Sequence, residues 1–404
     1  MISVEEALNR LLAPLKPLAA EQVAVSEALG RVVAEDVVSR RTQPPFAASA
    51  MDGYAVRAVD VAHVPTRLRV IGSIPAGSAF PGTLGSREAA RIFTGAPVPH
   101  GADTIVIQED TSREDDWVTV REGAPVGRYI RPEGLDFRTG DLGLAAGTVL
   151  TARDIGLAAA MNRPWLQVRR RPRVAILATG DEIVMPGEPI GPSQIVSSNG
   201  LALGALVAAC GGIPVQLGIA QDEPASLQRL ADGAAGADML VTTGGASVGE
   251  HDLVQSALAE HGLQLDFWKI AMRPGKPLMV GRLKETPMLG LPGNPVSSLV
   301  CGLIFLKPAL ETMLGVARDG RTQPTARLAV PLEANDRRQD YLRAKSRRGA
   351  DGELEVEPFA RQDSSMLSLL AQADCLVIRP PLAAAARPGE RVPIVPFAGG
   401  LIGI

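Results

Sequence analysis

The sequence predicts a multidomain α/β and β protein: one three-layer α/β/α domain, with smaller β domains before and after it. Three observations carry this expectation. A chain of 404 residues is longer than one hydrophobic core usually serves. From about Arg171 to Asp319, short runs that are apolar throughout alternate with helical stretches. Continuous apolar strands between helices belong to a parallel sheet covered on both faces. Outside that segment the apolar runs are short and separated by Gly and Pro, as in small β domains.

In chain order, residues 1–42 open with a helical pattern, and 151–162 repeat it. These pieces flank strand-like runs at 67–74, 102–110 and 116–122, so they are expected to pack together with the β region inserted between them. A basic, Pro-flanked linker near Arg169–Arg173 leads into the α/β segment. There, strands are expected at 173–179, 213–219 and 238–243, then near 264–270, 277–281 and 287–291. Helices are expected over 198–210, from Asp222-Pro224 to about 235, over 252–261 and near 296–314. Gly211-Gly212 is a stop signal for the first helix, and Pro224 suits the first turn of the second. Residues 321–404 carry five further strand patterns, which fit a small barrel or sandwich. The domain division is therefore 1–42 with 128–170 as a linking domain, 43–127 as an inserted β domain, 171–319 as the α/β domain, and 320–404 as the C-terminal β domain.

Composition excludes several function classes. The formal net charge is −3, from 41 Lys+Arg against 44 Asp+Glu, with no basic footprint for nucleic acid and no polybasic membrane anchor. Cys210, Cys301 and Cys375 are widely spaced in apolar runs, which suggests buried free thiols in a reducing, cytoplasmic setting rather than disulfides or a zinc site. The opening MISVEEALNRLLAPL has acids where a secretory signal carries basic residues. Gly200–Ala220 and Met288–Leu306 carry no charge, but Gly211-Gly212, Pro214 and Pro292-Gly293-Asn294-Pro295 interrupt them, so each reads as a buried helix joined to a buried strand.

Four loops stand where an open α/β sheet binds ligands, beyond the C-terminal strand ends. They are ATGDE (178–182), GIAQDEP (218–224), TTGGASVGEHD (242–252) and LPGNPVSS (291–298). Glycines let backbone approach a ligand, and N–H groups at helix starts attract anions, so the set suggests a phosphorylated or oxyanionic ligand. Glu182, Asp222 and Asp252 lie in the same loops. Carboxylates beside an anion need a divalent cation between them, and Mg²⁺ commonly bridges one or two carboxylates and a phosphate. Asp222 reads equally as a helix N-cap. Lys269, Arg273 and Lys276 in FWKIAMRPGKP form a basic cluster braced by Pro and Gly, suited to ligand contact. No Walker A spacing, no GxGxxG after a strand and no GxSxG is present, and the four histidines lack metal-ligand spacing.

Together PPFAASAMDGYAV (44–56), RIFTGAPVPHGADTIVIQED (91–110), RPEGLDFRTGD (131–141), ATGDEI, TTGGASVGEHD, AMRPGKP and LPGNPVSS, in this order, resemble the molybdopterin molybdenumtransferases, which include the bacterial MoeA proteins and the gephyrin E domain. The resemblance spans essentially the whole chain. It implies an elongated, cytoplasmic, homodimeric transferase with four domains per subunit. The α/β domain would be shared with the molybdopterin adenylyltransferases, and the C-terminal domain would be a barrel. The implied reaction of molybdenum cofactor biosynthesis takes molybdate and adenylyl-molybdopterin as substrates, depends on Mg²⁺, and releases AMP as molybdate enters the dithiolene.

Carried over by motif, the implied catalytic residues are Asp52, Thr94, Glu182 and Asp252, with Glu182 and Asp252 binding the metal. Substrate binding falls to Asp136, Asp222, Gly244, Gly245, Ser247, Lys269, Arg273 and Lys276, with Pro292, Gly293, Asn294, Pro295 and Ser365. Two departures stand out: Ala47-Ala48 where many relatives are polar, and Arg273 where Lys is also common. The active site is expected to be shared between two subunits, with transient contacts to a molybdopterin adenylyltransferase and to molybdoenzymes, and none to nucleic acid or membrane. Two competing readings use the same module: an adenylyltransferase-like enzyme, and a non-catalytic scaffold related to the gephyrin E domain. SAMDGYA and TGAPVP lie outside the α/β module, which favours the transferase.

Overall fold

The computed structural model describes residues 1–244, 253–317 and 323–397. The chain forms two compact units: Met1–Glu35, Ala146–Arg153 and Gln167–Ile404 in one, Asp36–Ala145 and Asp154–Leu166 in the other.

The first unit is organised around a six-stranded sheet in the order Ile213–Ala220, Arg173–Thr179, Met239–Thr243, Thr286–Leu291, Met279–Leu283, Leu263–Trp268. The expected strands are all present, and Arg173–Thr179 has the expected bounds. Its apolar continuity has a direct cause. Val174 and Ile176 enter a core with the helices Val4–Leu12, Asn199–Ala209 and Pro295–Cys301 on one face. Ala175 and Leu177 enter a second core on the other face, with Pro224–Ala231 and Leu253–Ala259. Side chains alternate across a strand, so a strand buried on both faces has no polar register.

The parallel arrangement holds for the first four strands and then reverses. Met279–Leu283 runs antiparallel to Thr286–Leu291, and Leu263–Trp268 antiparallel to Met279–Leu283. Only Lys284-Glu285 separates the first two, which allows a hairpin but no crossover; Lys284 takes φ 55° to close it. The helix expected near 296–314 runs from Pro295 to Met313 through a π-helical turn at Gly302–Leu306. It is long and apolar enough to cross a membrane, but 61% of it is buried inside the fold, as a core helix is.

In the C-terminal region the strands Gln339–Arg348, Leu354–Pro358, Thr325–Leu328, Arg391–Pro396 and Cys375–Arg379 close on themselves, since the first also pairs with the last. Closure makes this a barrel rather than a sandwich, around Ala326, Leu328, Ala344, Val356, Val377 and Ile394. Met272–Arg273 adds to its rim, parallel to Gln339-Asp340.

The second unit carries a six-stranded sheet in the order Thr104–Ile107, Gly53–Val56, Glu88–Ile92, Thr66–Ile74, Trp117–Val120, Thr111–Glu114. Segments on either side of the β region do pair. Val37–Val38 meets Leu142–Leu144 in this unit, and in the first unit Val33 bridges Val168 while Arg31 donates to the Arg169 carbonyl at 2.8 Å.

Candidate functional site

The four parallel strands of the first unit end in register. Thr179 stands opposite Ala220, Ala178 opposite Thr243, and Thr243 opposite Leu291. The loops after them therefore start at one level, and a cleft of about 620 Å³ opens there. Among its walls are Glu182, Gly244, Gly293, Asn294, Asn199 and Ser365.

Close backbone approach forms the floor. Gly244 adopts φ +95°, and a Cβ there would overlap the Thr179 carbonyl oxygen and lie 2.9 Å from its hydroxyl. A Cβ on Gly293 would in turn lie 3.5 Å from the Gly244 Cα. Any side chain at Gly244 would push the third loop off the first, which is the physical content of the glycines noticed in the sequence. Thr179 lines the cleft, and its hydroxyl is buried with no hydrogen-bond partner among the described residues. Such a group is uncommon and is ordinarily satisfied by water or a ligand.

Asn199 clamps two of the loops. Its Nδ2 donates to Thr243 Oγ1 at 2.9 Å and to the Gly293 carbonyl at 2.7 Å. Thr243 Oγ1 also lies 3.3 Å from both the Pro292 carbonyl and Ser298 Oγ. Asn199 begins a helix whose first turn has no acidic residue and whose N-cap, Ser198, makes no capping bond. The helix beginning at Pro295 likewise starts on the cleft, with N-cap Asn294. The start at Asn199 presents uncapped N–H groups and the positive end of its dipole to the cleft, while the start at Pro295 contributes its dipole alone, since Pro295 has no N–H and the Val296 N–H is given to the barrel.

The barrel completes the wall. Val296 N–H donates to the Ser364 carbonyl at 3.1 Å, and Asn294 Nδ2 to the Ser364 hydroxyl at 3.0 Å. Ser365 reaches the cleft, with both its N–H and its O–H donated to Asp363 Oδ1, at 2.8 and 2.6 Å. Those bonds hold the Asp363 carboxyl below its usual range.

The remaining sequence candidates fall elsewhere. Asp222 does not line the cleft and does not cap the helix, whose N-cap is Glu223. Its backbone N–H donates to Asp181 Oδ1 at 3.0 Å, tying the second loop to the first. Arg273 also lies outside the cleft lining, because its guanidinium is already engaged. It is ion-paired with the buried Asp340 carboxylate, with Nε at 2.9 Å from Oδ1, and reaches Asp336 and Asn335 at 3.4 Å. Hydrogen bonding to Asp340 raises the Arg273 pKa above its usual value. Lys276 is exposed, and Lys269 sits at φ 95° with its N–H directed at the Leu278 carbonyl; neither lines the cleft, although Pro277 does. Gly245, Ser247 and Asp252 lie outside the described residues. Among the described residues, no group of three or more His, Cys, Asp or Glu is placed to hold a metal ion.

In the second unit, Asp52 and Thr94 are brought together. Asp52 Oδ1 accepts the Thr94 N–H and the Thr94 O–H, both at 2.8 Å. These two bonds, and the nearby charge of Arg91, hold the Asp52 carboxyl below the usual range. Arg91 donates to the Gly53 carbonyl at 2.9 Å and lies over the rings of Phe93 and Tyr54. Asp136 lines a separate depression of about 470 Å³ with Phe46, Gly95, Arg131 and Leu135.

Thr179, Asn199 and Thr243 were not singled out from the sequence. The signal for Asn199 was its place at a helix start after a strand, in a Ser-Ser-Asn-Gly run without charge. That is also how an ordinary cap reads.

Comparison with known proteins fits this arrangement. Family models match along the chain: the MoeA N-terminal region (domains I and II) over residues 2–162, a probable molybdopterin binding domain over 175–312, and the MoeA C-terminal region (domain IV) over 325–397. A molybdopterin molybdenumtransferase from Nostoc sp. is 39% identical, covering 87% of this chain and 83% of its own length. One from Haemophilus influenzae is 33% identical, covering 98% and 99%. Two crystal structures of the molybdopterin biosynthesis MoeA protein from Pyrococcus horikoshii superpose with TM-scores of 0.83 and 0.84, at 32% and 28% identity, covering 99% and 98% of this chain and 100% of theirs. With identities of this size over nearly the whole sequence and its full set of domains, the chain belongs to the molybdopterin molybdenumtransferase family.

Proposed function

We propose that this chain inserts molybdate into adenylyl-molybdopterin, hydrolysing the adenylyl bond and releasing AMP, in a Mg²⁺-dependent reaction of the cytoplasm. The observation that carries the reading is the cleft of the first unit, where the uncapped helix start at Asn199 and the dipole of the helix beginning at Pro295 converge on one space. Both substrates are anionic and must be held together against their repulsion. Fixed N–H groups do this without reorganising, and proximity makes the insertion effectively intramolecular. The helix start at Asn199 binds phosphate oxygens, the dipole of the helix at Pro295 adds positive potential, and Ser365 with Asn294 orients the ligand from the barrel side.

Mg²⁺ fits the donor set. Glu182 is exposed on the cleft wall and its carboxylate folds back over Gly180. A cation that takes one or two carboxylates and otherwise phosphate and water needs no larger protein cluster. Glu182 and Asp252 would hold it, and when bound it would supply positive charge between carboxylate and phosphate. Asp52, set by Thr94, and Asp136 act on the same substrate from the second unit of a partner subunit. The working protein is then a homodimer with a shared site, built from the linking, inserted β, α/β and barrel domains of the division 1–42 with 128–170, 43–127, 171–319 and 320–404. Transient partners are the adenylyltransferase that supplies the pterin and the molybdoenzymes that receive the product.

The test is to incubate the protein with adenylylated molybdopterin, Mg²⁺ and molybdate and follow AMP. The expected result is AMP release that needs both molybdate and Mg²⁺. Release at full rate in excess chelator would remove the metal role, and no release under any condition would remove the activity.

A further inference from the structure

Among the described residues, the barrel reaches the cleft through the loop 359–366, at Ser365. Its cleft end is held to the Asn294–Val296 turn by Ser364, as described above. Its far end is held by Gln362. Gln362 Oε1 accepts from the Arg343 backbone N–H at 3.0 Å and from Arg343 Nε at 3.2 Å. Gln362 Nε2 donates to the Arg343 carbonyl at 3.0 Å and to the Phe359 carbonyl at 2.9 Å. Arg343 is 1% exposed on strand Gln339–Arg348, and its guanidinium continues to the Met366 carbonyl at 3.1 Å, on the other side of the two serines.

We propose that Gln362 is a positioning residue for substrate binding: it locks the 359–366 loop onto the barrel wall and so fixes where Ser364 and Ser365 meet the cleft. The proposal rests on the reading of the cleft given above. Only a primary amide satisfies the arrangement, since one oxygen must accept two N–H groups while one nitrogen gives hydrogens to two carbonyls. Glu at this position keeps the acceptor side and loses both donors, and Met keeps the length and loses everything polar. Because Ser365 faces bound substrate and not a reacting bond, loosening the loop weakens ground-state and transition-state binding alike. That pattern raises KM and leaves kcat nearly unchanged.

The experiment compares the wild type with Gln362→Met and Gln362→Glu by two readouts. The first is amide hydrogen exchange at Val296 and across 362–366, with strand Arg173–Thr179 as internal control. Faster exchange at Val296 with an unchanged control is expected, and unchanged exchange at Val296 overturns the clasp. The second is steady-state kinetics with molybdate varied. We expect KM for molybdate to rise about tenfold in Gln362→Met, from the loss of a few modest hydrogen bonds, with kcat within about threefold. Gln362→Glu should fall between Met and wild type; it carries the test if the Met variant does not fold. Ser365→Ala is then made in both backgrounds. A smaller Ser365→Ala effect in the Gln362→Met background supports action through the serine, and fully additive effects overturn it. If the wild type shows no molybdate-dependent turnover, the functional reading falls, and exchange at Val296 still decides the clasp.

Discussion

Asn199 offers the sharpest test of the cleft as an anion site. Asn199→Asp is nearly isosteric but turns two donors into acceptors. Thr243 Oγ1 can adapt, because its hydroxyl can rotate to donate to the new carboxylate. The Gly293 carbonyl cannot, so one hydrogen bond is lost, worth about 0.5–1.5 kcal/mol. A new negative charge at a helix N-terminus returns about 0.3–1 kcal/mol. The net change in stability is then about 1 kcal/mol or less, a shift in Tm of only about 2–4 °C. Ligand binding responds differently. A unit charge about 6 Å from a ligand oxyanion, at an effective dielectric near 20, costs about 3 kcal/mol, or roughly a hundredfold in affinity. Asn199→Ala removes the same donors without the charge and should weaken binding only about two- to tenfold. The assay is molybdate-dependent AMP release by both variants at low and high salt, beside their melting curves. The Asp penalty should shrink as salt screens it. If Asn199→Asp binds no worse than Asn199→Ala, the cleft does not hold an anion beside this helix start.

Gly244→Ala should destabilise the protein by about 2–4 kcal/mol, from its left-handed backbone and the overlap with the Thr179 carbonyl, seen as an earlier thermal transition together with lost turnover; a wild-type melting curve would show that the loops are not packed as described. Thr94→Val removes one of the two bonds that depress the Asp52 carboxyl, so its pKa rises toward the ordinary value and the acid limb of the pH–rate profile moves to higher pH; the stability due to this pairing is present above the unfolded carboxylate pKa and is lost as pH falls through the depressed folded value. An unmoved acid limb would take Asp52 out of the rate-determining ionisation. Mixing inactive Asp52→Asn and Glu182→Gln proteins under demonstrated subunit exchange should restore part of the activity if each site draws on two subunits, and none if it does not.

What the sequence disclosed follows from how local each signal is. Strand Arg173–Thr179 was legible to the residue because burial on both faces leaves an unbroken apolar run with charged or Gly boundaries. The strand ending at Leu283 was expected to stop at 281, because the pairing across the Lys284-Glu285 hairpin, and not composition, extends it. Gly244 and Gly293 were legible as loop glycines, since few other reasons exist to place glycines after buried strands. Asn199 was not, because a cap and a clamp have the same local sequence. The ion pairs of Arg273 were not legible for the opposite reason. Its own surroundings look basic, and the carboxylates that neutralise it, Asp336 and Asp340, come 63 and 67 residues later, on a different domain.

On the proposed reading of the cleft, that ion pair takes one positive charge away from the ligand. An arginine aimed at the ligand would attract any anion from a distance and tolerate several geometries. Here Arg273 joins the edge of the α/β domain to the barrel strand that carries Asp340, Tyr341 and Arg343. The same strand bears the Gln362 clasp, so the charge withdrawn from the cleft anchors the loop that delivers Ser364 and Ser365 to it. On the proposed reading, recognition depends on short-range donors with fixed directions: the helix start at Asn199 and the Asn294 amide. Donors of this kind discriminate by where oxygens sit more than by total charge. Replacing Arg273 would therefore harm binding by releasing the barrel, and restoring a positive charge with Lys would recover less than a charge-only account predicts, because a compact ammonium cannot span Asp340 and Asp336 as the planar guanidinium does.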